Sequence, residues 1–164
     1  MGAAFRDLLS DLYEVLRVDH SAAVEYSGTY DLSDVSGTPR VVWGEGFPKH
    51  VVPAVLLSGL QLRTAYSGAN IGEYEERGRI EWWGICASPD LTPENRALAA
   101  VDLANDVISS IQTARQDQSY PALFGLTECL VTLEDVFGDA QDMAPGYAVA
   151  WGYIDFMTST GRGV

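Results

Sequence analysis

The predicted strand over residues 147–158 constrains the fold most, because it is apolar on both faces. Its large side chains alternate between the faces, with Tyr147, Trp151 and Tyr153 on one and Ile154 and Phe156 on the other. Since successive side chains of a strand point to opposite sides, such a strand is covered on both sides. The chain has only two long helical segments, so we expect another subunit to supply part of that cover.

Two segments have the periodicity of amphipathic helices. In residues 3–18, apolar side chains recur every three or four positions. The second helix begins at Thr92-Pro93-Glu94, where an N-cap threonine precedes a proline and an acid in the first turn, and it runs to about Arg115. We predict an apolar stripe of Leu98, Val101, Ala104, Val107, Ile108 and Ile111, and a polar stripe of Asp102, Asn105, Asp106 and Ser109.

Four other segments have the composition or alternation of strands, namely 40–43, 53–66, 79–87 and 127–136. In the 53–66 segment the alternation begins at Leu60. The last of the four predicts Cys129, Val131 and Leu133 pointing inward, and Glu128, Thr132 and Glu134 pointing outward.

Between these elements we predict a polar loop or insertion at 19–40, a long acidic hairpin loop at 67–78, an acidic turn at 138–146 and a mobile tail at 159–164. The length of 164 residues suits one domain over 1–164. The element order predicts an α+β fold, a mostly antiparallel sheet with an N-terminal helix and a second long helix packed on one face.

The chain is strongly acidic, with a net charge of −13 and a pI of about 4.3. Proteins that bind nucleic acids need a basic face to neutralise phosphates, so this composition argues against that class. An acidic wall repels DNA and lets it pass without sticking, although solubility alone explains the same charge.

A search for chemical motifs predicts no catalytic residue, no cofactor and no metal site. His20 and His50 have no second ligand at helical spacing, and we expect both in surface loops. Cys86 and Cys129 lie in apolar, strand-like stretches, and we expect them to be buried small hydrophobes. Nucleophile elbows, phosphate loops and dinucleotide fingerprints are missing from the sequence.

Two acidic clusters allow more than one interpretation. Asp135, Asp139 and Asp142 surround the last turn, and Glu73, Glu75, Glu76 and Glu81 surround the long hairpin. Either cluster is a solvated acidic loop or a set of oxygen ligands for a cation, although neither has the spacing of a calcium loop. A third interpretation is that the hairpin meets a neighbouring subunit. The predicted inter-subunit contacts are then Glu73, Glu75, Glu76, Arg77 and Arg79, reciprocal in a ring.

The sequence lacks a basic region followed by an apolar run near the N-terminus, and its longest apolar stretch, 51–57, contains a proline. We therefore expect a cytoplasmic product without membrane contact.

Two stretches, RIEWWGICA at 79–87 and PGYAVAWGYIDF at 145–156, complete a pattern of helix, paired strands, alanine-rich helix and closing strand. In element order, over residues 1–158, the chain resembles the tail terminator (tail completion) proteins of long-tailed phages and phage-like particles. The resemblance implies a virion protein, made in the host cytoplasm, that has no catalytic residues. By the same resemblance, the protein forms a ring, usually a hexamer, on the last ring of the tail-tube protein and stops its polymerisation. The ring also meets head-completion or neck proteins, and DNA passes through its lumen. Residues 19–40 have no place in the pattern, and we interpret them as an insertion that contacts a neck or sheath protein.

Two alternatives stay open at the level of sequence. One is another head–tail connector, neck or tail-tube protein of the same machine, which a closed ring or an open tube would distinguish. The other is a small-ligand-binding or enzymatic α+β domain, since four tryptophans and eight tyrosines can line a pocket. A strongly perturbed acid between aromatic rings, such as Glu81 or Asp155, would favour the second alternative.

Overall fold

A computed structural model describes residues 2–44, 51–66, 74–87, 92–137 and 147–160. Within these ranges it has an α+β fold, so the predicted class is confirmed: a mostly antiparallel sheet with an N-terminal helix and a longer helix. The helices are α1 (Gly2–Leu16), α2 (Pro93–Ala114) and α3 (Pro121–Phe124), with a 3₁₀ turn at His20–Ala22. The strands are β1 (Val41–Trp43), β2 (Ala54–Tyr66), β3 (Tyr74–Ala87), β4 (Glu128–Val131), β5 (Asp135–Phe137) and β6 (Tyr147–Thr160).

The sheet has the order β1-β2-β3-β6-β4, and β5 also pairs with β6. Among the strand pairs in the described ranges, only β1–β2 is parallel. The longest ladder joins β3 to β6, from Tyr74 opposite Thr160 to Ala87 opposite Tyr147. The strand that is apolar on both faces therefore lies inside the sheet, with β3 on one side and β4 and β5 on the other.

The main core lies between the sheet and the helices. Even-numbered residues of β3 and β6 face the helices, and Ile80, Trp82 and Ile154 among them are almost completely buried. Helix α2 lies so close to β3 that a Cβ atom at Gly84 would come within 2.9 Å of the Leu103 side chain. The N-cap of α2 is Thr92, as predicted, and its hydroxyl accepts a hydrogen bond from the Asn95 amide at 3.3 Å.

The predicted apolar stripe of α2 is wrong in the first half of the helix. Leu98 and Val101 are 59% and 43% exposed, whereas Leu103 is fully buried. Asp106, predicted on the polar stripe, is also fully buried. The helix turns Ala100, Leu103 and Ala104 toward the sheet, because the missing side chain of Gly84 leaves room for Leu103. Asp106 finds hydrogen-bond partners inside the protein.

The predicted hairpin loop at 67–78 and the predicted mobile tail at 159–164 are each wrong in part. Residues 74–78 belong to β3, and 159–160 extend β6. The two segments pair with each other, for example Glu75 with Ser159, and residues 74–78 also pair with β2. Backbone hydrogen bonds therefore order both segments. Residues 67–73 and 161–164 lie outside the described residues, as does the predicted turn at 138–146.

The predicted strand at 127–136 is divided into β4 and β5. Between them, the Thr132 carbonyl turns toward the core, where it accepts a hydrogen bond from the Trp82 indole at 3.0 Å. Leu133 consequently points outward and is 37% exposed, contrary to prediction. The amides of Thr132 and Glu134 still bond to β6, at 2.9 and 2.8 Å, so the segment stays attached to the sheet.

Candidate interaction surface

The face of the sheet opposite the helices carries a cluster of aromatic side chains. Trp83 on β3 stacks on Trp151 on β6, with ring centroids 5.2 Å apart and planes inclined by 14°. Tyr153 meets Trp151 edge to face at 5.6 Å. All three side chains are half-buried, and α1–α3 pack on the other side of the sheet. We call this side of the sheet the open face.

Beside this cluster, part of the open face is already buried within the chain. Ala54, Ile85 and Val149 are fully buried and form a second, smaller core cluster. Val52 and Tyr147 pack against it. The two-sided apolar character of β6 therefore has two causes: the helix-facing core, and an open face that its own chain covers only in part.

The charged end of the open face is organised around one ion pair. Arg79 on β3 donates two hydrogen bonds to Asp155 on β6, at 2.6 and 3.1 Å, and its guanidinium lies 4.2 Å from the centroid of the Tyr153 ring. These hydrogen bonds to Asp155 raise the pKa of Arg79. Arg79 is thus engaged inside its own chain rather than free for a neighbour.

Two further arginines lie in this region. Arg77 bonds to Glu75 at 3.1 Å, and Arg63 of β2 is the register partner of Arg77. Like charges directly opposite each other in a sheet are destabilising. Both guanidinium groups are exposed, so water screens the repulsion, and a negatively charged partner would remove it.

The structure separates the residues predicted to make inter-subunit contacts. Glu75, Arg77 and Arg79 lie on the open face, and Glu76 lies on the helix side, because side chains alternate along β3. Glu73 is outside the described residues. The sequence interpretation did not include Arg63, although the alternation of β2 from Leu60 onward places it on the same side as Gln61.

Two surface depressions lie at this end of the sheet, one on each face. On the open face, a depression of about 460 Å³ is lined by Arg63, Arg77, Leu130 and Met157, among others. On the helix side, a groove of about 490 Å³ separates the end of the β2–β3 hairpin from α1 and α3. Apolar side chains line much of the groove, and acidic ones lie at its rim: Phe5, Leu8, Leu62, Leu126 and Phe156, with Asp7 and Glu76.

A buried polar cluster overturns the prediction that His20 is a surface histidine. His20 is fully buried, and its Nε2 donates to the Leu16 carbonyl at 2.9 Å, at the end of α1. The Tyr26 hydroxyl donates to Nδ1 of the same ring. Burial raises the pKa of Tyr26 to about 12. His50 lies outside the described residues.

Asp106 completes the attachment of residues 19–40 to α2. Its carboxylate accepts hydrogen bonds from the amides of Thr29, at 2.9 and 3.2 Å, and Tyr30, at 2.7 Å. Asp11 does the same for α3, accepting from the amides of Ala122 and Leu123 at 2.8 and 3.2 Å. These buried acids act as caps for backbone groups, and such caps explain their burial without any catalytic role.

Replacing Asp106 by alanine is expected to lower the free energy of unfolding by about 2–4 kcal/mol, because the amides of Thr29 and Tyr30 lose their charged acceptor in a part-buried contact. Burial also raises the pKa of Asp106 above its ordinary value. The folded state therefore holds the proton to higher pH than the unfolded state. The stability advantage of aspartate over asparagine at this position is greatest at pH values below the ordinary pKa of the unfolded state. It declines as the pH rises through the raised pKa of the folded state. Urea unfolding of wild type, Asp106→Ala and Asp106→Asn across that pH range tests this, and a pH-independent difference from Asp106→Asn would contradict it.

The cysteines have the properties of unreactive thiols. Cys86 is buried, as predicted, and Cys129 is half-buried. Burial raises the pKa of each thiol to about 11, so both are protonated at neutral pH. Among the residues that the structure describes, no three His, Cys, Asp or Glu side chains converge as metal ligands would.

No family model and no curated protein matches the chain. None of the helices in the described ranges is long and apolar enough to cross a membrane. The fold and the open face define the chain as an α+β domain with an aromatic, mixed-charge sheet surface.

Proposed function

We propose that the protein is a ring-forming structural subunit of a phage or phage-like particle: a tail terminator that caps the tail tube and joins it to head-completion or neck proteins. The observation that carries this proposal is the open face, where stacked, half-buried tryptophans lie beside exposed arginines. Tryptophan, tyrosine and arginine are the residues that protein interfaces favour most, and they dominate binding energy there.

The arrangement of charges supports a protein partner. Three of the ten basic residues of an acidic chain, Arg63, Arg77 and Arg79, lie together at one end of the open face. Arg63 opposite Arg77 costs the isolated subunit free energy, which carboxylates of a docked surface would offset. This arrangement suits a chain that works by fitting surfaces together.

The net charge supports the passage of DNA. With a charge of −13 per subunit, a ring would repel a passing duplex. Arg63 and Arg77, which are exposed on the open face, would then lie in contacts between proteins instead of facing the lumen.

The enzymatic alternative has less support than the structural one, because an enzyme would need an acid that is free to act as a general base. Glu81 accepts a hydrogen bond from the Trp83 indole at 2.5 Å, and Asp155 pairs with Arg79. The buried acids Asp11 and Asp106 bind backbone amides. Each of these acids already has a structural partner, so a general base for substrate chemistry is difficult to assign.

The test uses the purified full chain and its cognate tail-tube protein. Native mass spectrometry and negative-stain electron microscopy are expected to show closed rings, predominantly hexamers. Added to polymerising tube protein, the rings are expected to stop elongation and to lie at one end of each tube. A chain that leaves tube elongation unchanged would contradict the proposal. Open tubes of the chain itself would favour the alternative, a connector or tail-tube protein of the same machine.

A matched pair of variants connects the assay to the open face. Trp151→Ser removes a half-buried ring of the aromatic cluster, whereas Val24→Ser removes an apolar side chain that is 93% exposed in the 19–40 segment. We expect Trp151→Ser to reduce ring formation or capping and Val24→Ser to behave as wild type. Equal behaviour of the two variants would exclude the aromatic cluster as the contact.

A further inference from the structure

Opposite faces of one end of the sheet carry depressions of similar size and different charge. Acids supply all the charges on the helix side, whereas on the open face three arginines outnumber Glu128 and Asp155, and Asp155 is paired with Arg79. We call the depression of about 490 Å³ on the helix side, with Asp7 and Glu76 at its rim, the acidic groove. We call the open-face surface formed by Arg63, Arg77 and Leu130 the arginine face; it lines the depression of about 460 Å³.

The acidic groove has an apolar floor and unengaged carboxylates. Phe156 and Leu62 contribute to the floor, and Leu62 is partly exposed. Asp11 also lines the groove, but its carboxylate is occupied by the amides at the start of α3. Within the described part of the chain, Asp7 and Glu76 form no ion pair. The groove therefore fits an apolar side chain that is accompanied by positive charge.

The arginine face has that combination. Leu130 on β4, the last strand in the sheet order, is 57% exposed on the open face. It lies two strands from β3, at a distance of about 10 Å given the ordinary strand spacing. Arg63 forms no ion pair among the described residues, and Arg77 pairs only with Glu75 there.

These two surfaces cannot meet within one chain. Glu76 and Arg77 are consecutive residues of β3, so their side chains point to opposite faces of the same sheet. Complementary surfaces on opposite faces of one subunit define a heterologous contact between copies, and repetition of that contact gives a closed ring or an open filament.

We propose that the acidic groove of one copy of this chain receives Leu130 of a second copy, with Arg63 and Arg77 of the second copy bonded to Asp7 and Glu76 of the first. This contact rests on the proposed function and deepens it, since it identifies the surface that joins neighbouring subunits of the ring. It replaces the sequence-based expectation that the hairpin acids of one subunit meet the hairpin arginines of its neighbour, reciprocally in a ring.

Charge reversal gives a test with an internal rescue. The variant Arg63→Glu/Arg77→Glu makes both surfaces acidic, and the variant Asp7→Arg/Glu76→Arg makes both basic. Each alone is expected to associate at least about tenfold more weakly than wild type, because attraction becomes repulsion. Mixed in equal amounts, the two variants complement each other at every contact and are expected to form rings in which they alternate. The quadruple variant restores complementarity within one chain and is expected to form rings alone.

Two leucine variants test whether any loss of exposed apolar surface prevents ring formation. Leu130→Glu is expected to abolish rings, while Leu98→Glu, at an equally exposed leucine of α2, is expected to leave them intact. Circular dichroism and thermal unfolding verify that every variant is folded. The readout is native mass spectrometry of the full chain without any tail-tube protein.

The outcomes separate this contact from the proposed function. Rings of wild-type stability from either double variant, or no rings from the mixture, overturn the contact, as does a wild-type chain that stays monomeric. If the doubles assemble normally and still cap tubes, the function stands and the contact fails. If the mixture forms rings that leave tube elongation unchanged, the contact stands and the function fails. If Leu98→Glu abolishes rings as Leu130→Glu does, the neighbour docks elsewhere and the contact is likewise overturned.

Discussion

Replacing Trp82 by alanine is expected to lower the free energy of unfolding by about 4 kcal/mol, since a fully buried indole leaves a large cavity. The substitution also removes the hydrogen bond to the Thr132 carbonyl, which holds the segment between β4 and β5. A loss of this size is a large fraction of the total stability of a small domain. Urea unfolding followed by circular dichroism measures it.

The adjacent Trp83 provides the matched control, because it lies on the opposite face of the same strand and is only half-buried. We expect Trp83→Ala to lower the free energy of unfolding by about 1–2 kcal/mol, because the variant loses ring stacking and a partly buried surface. Trp82→Phe retains most of the ring and removes the indole N–H, so its loss should fall between those of the two alanine variants. Equal losses for Trp82→Ala and Trp83→Ala would show that the assignment of faces is wrong.

Replacing Gly152 by alanine is expected to destabilise the protein by about 3 kcal/mol or more. A Cβ atom at this position would lie 1.8 Å from the Thr132 carbonyl oxygen and 3.0 Å from the Trp82 indole nitrogen. The first of these neighbours is backbone, which moves only if the β4–β5 segment leaves β6. Chemical denaturation gives the free energy, and hydrogen exchange at the amides of Thr132 and Glu134 reports whether the segment detaches.

Gly78 is the appropriate comparison for Gly152. A Cβ atom at Gly78 would lie 2.1 Å from the Phe156 ring, which is a side chain in the floor of the acidic groove. A ring there can rotate into the groove, so Gly78→Ala should cost less than Gly152→Ala. If Gly152→Ala unfolds at the same urea concentration as wild type, the close approach at Thr132 is wrong.

The sequence predicted the fold class because its local signals agree with the tertiary structure. Thr92 and Pro93 mark the start of α2 through chemistry that belongs to a helix terminus in any fold. The two-faced composition of 147–158 predicted a strand with cover on both sides, and buried residues of β6 do lie on both faces, Ile154 on one and Val149 on the other. Boundaries were less accurate where pairing with a distant strand extends an element, as at residues 74–78 and 159–160.

Burial on α2 was not predictable from its own periodicity. Leu98 is exposed and Asp106 is buried because the neighbours of each residue come from elsewhere in the chain. Asp106 is held by amides 76 and 77 residues away, and His20 fits at the end of α1 only once residues 19–40 fold back. A polar residue can be buried wherever distant backbone groups satisfy it, and a short sequence window does not contain those groups.

The candidate surface was likewise predictable from the sequence only in part. Composition alone identified a mixed-charge hairpin, whose glutamates and arginines lie close together in the sequence. The sequence predicted residues 74–78 as part of a loop, and their pairing in β3 places Glu76 and Arg77 on opposite sides. Only the tertiary structure showed that Arg63 lies opposite Arg77, that Asp155 engages Arg79, and that α1 brings Asp7 to the groove beside Glu76. Local preferences act over a few residues and determine the elements, whereas register between strands and packing between elements bring together residues that are far apart in sequence.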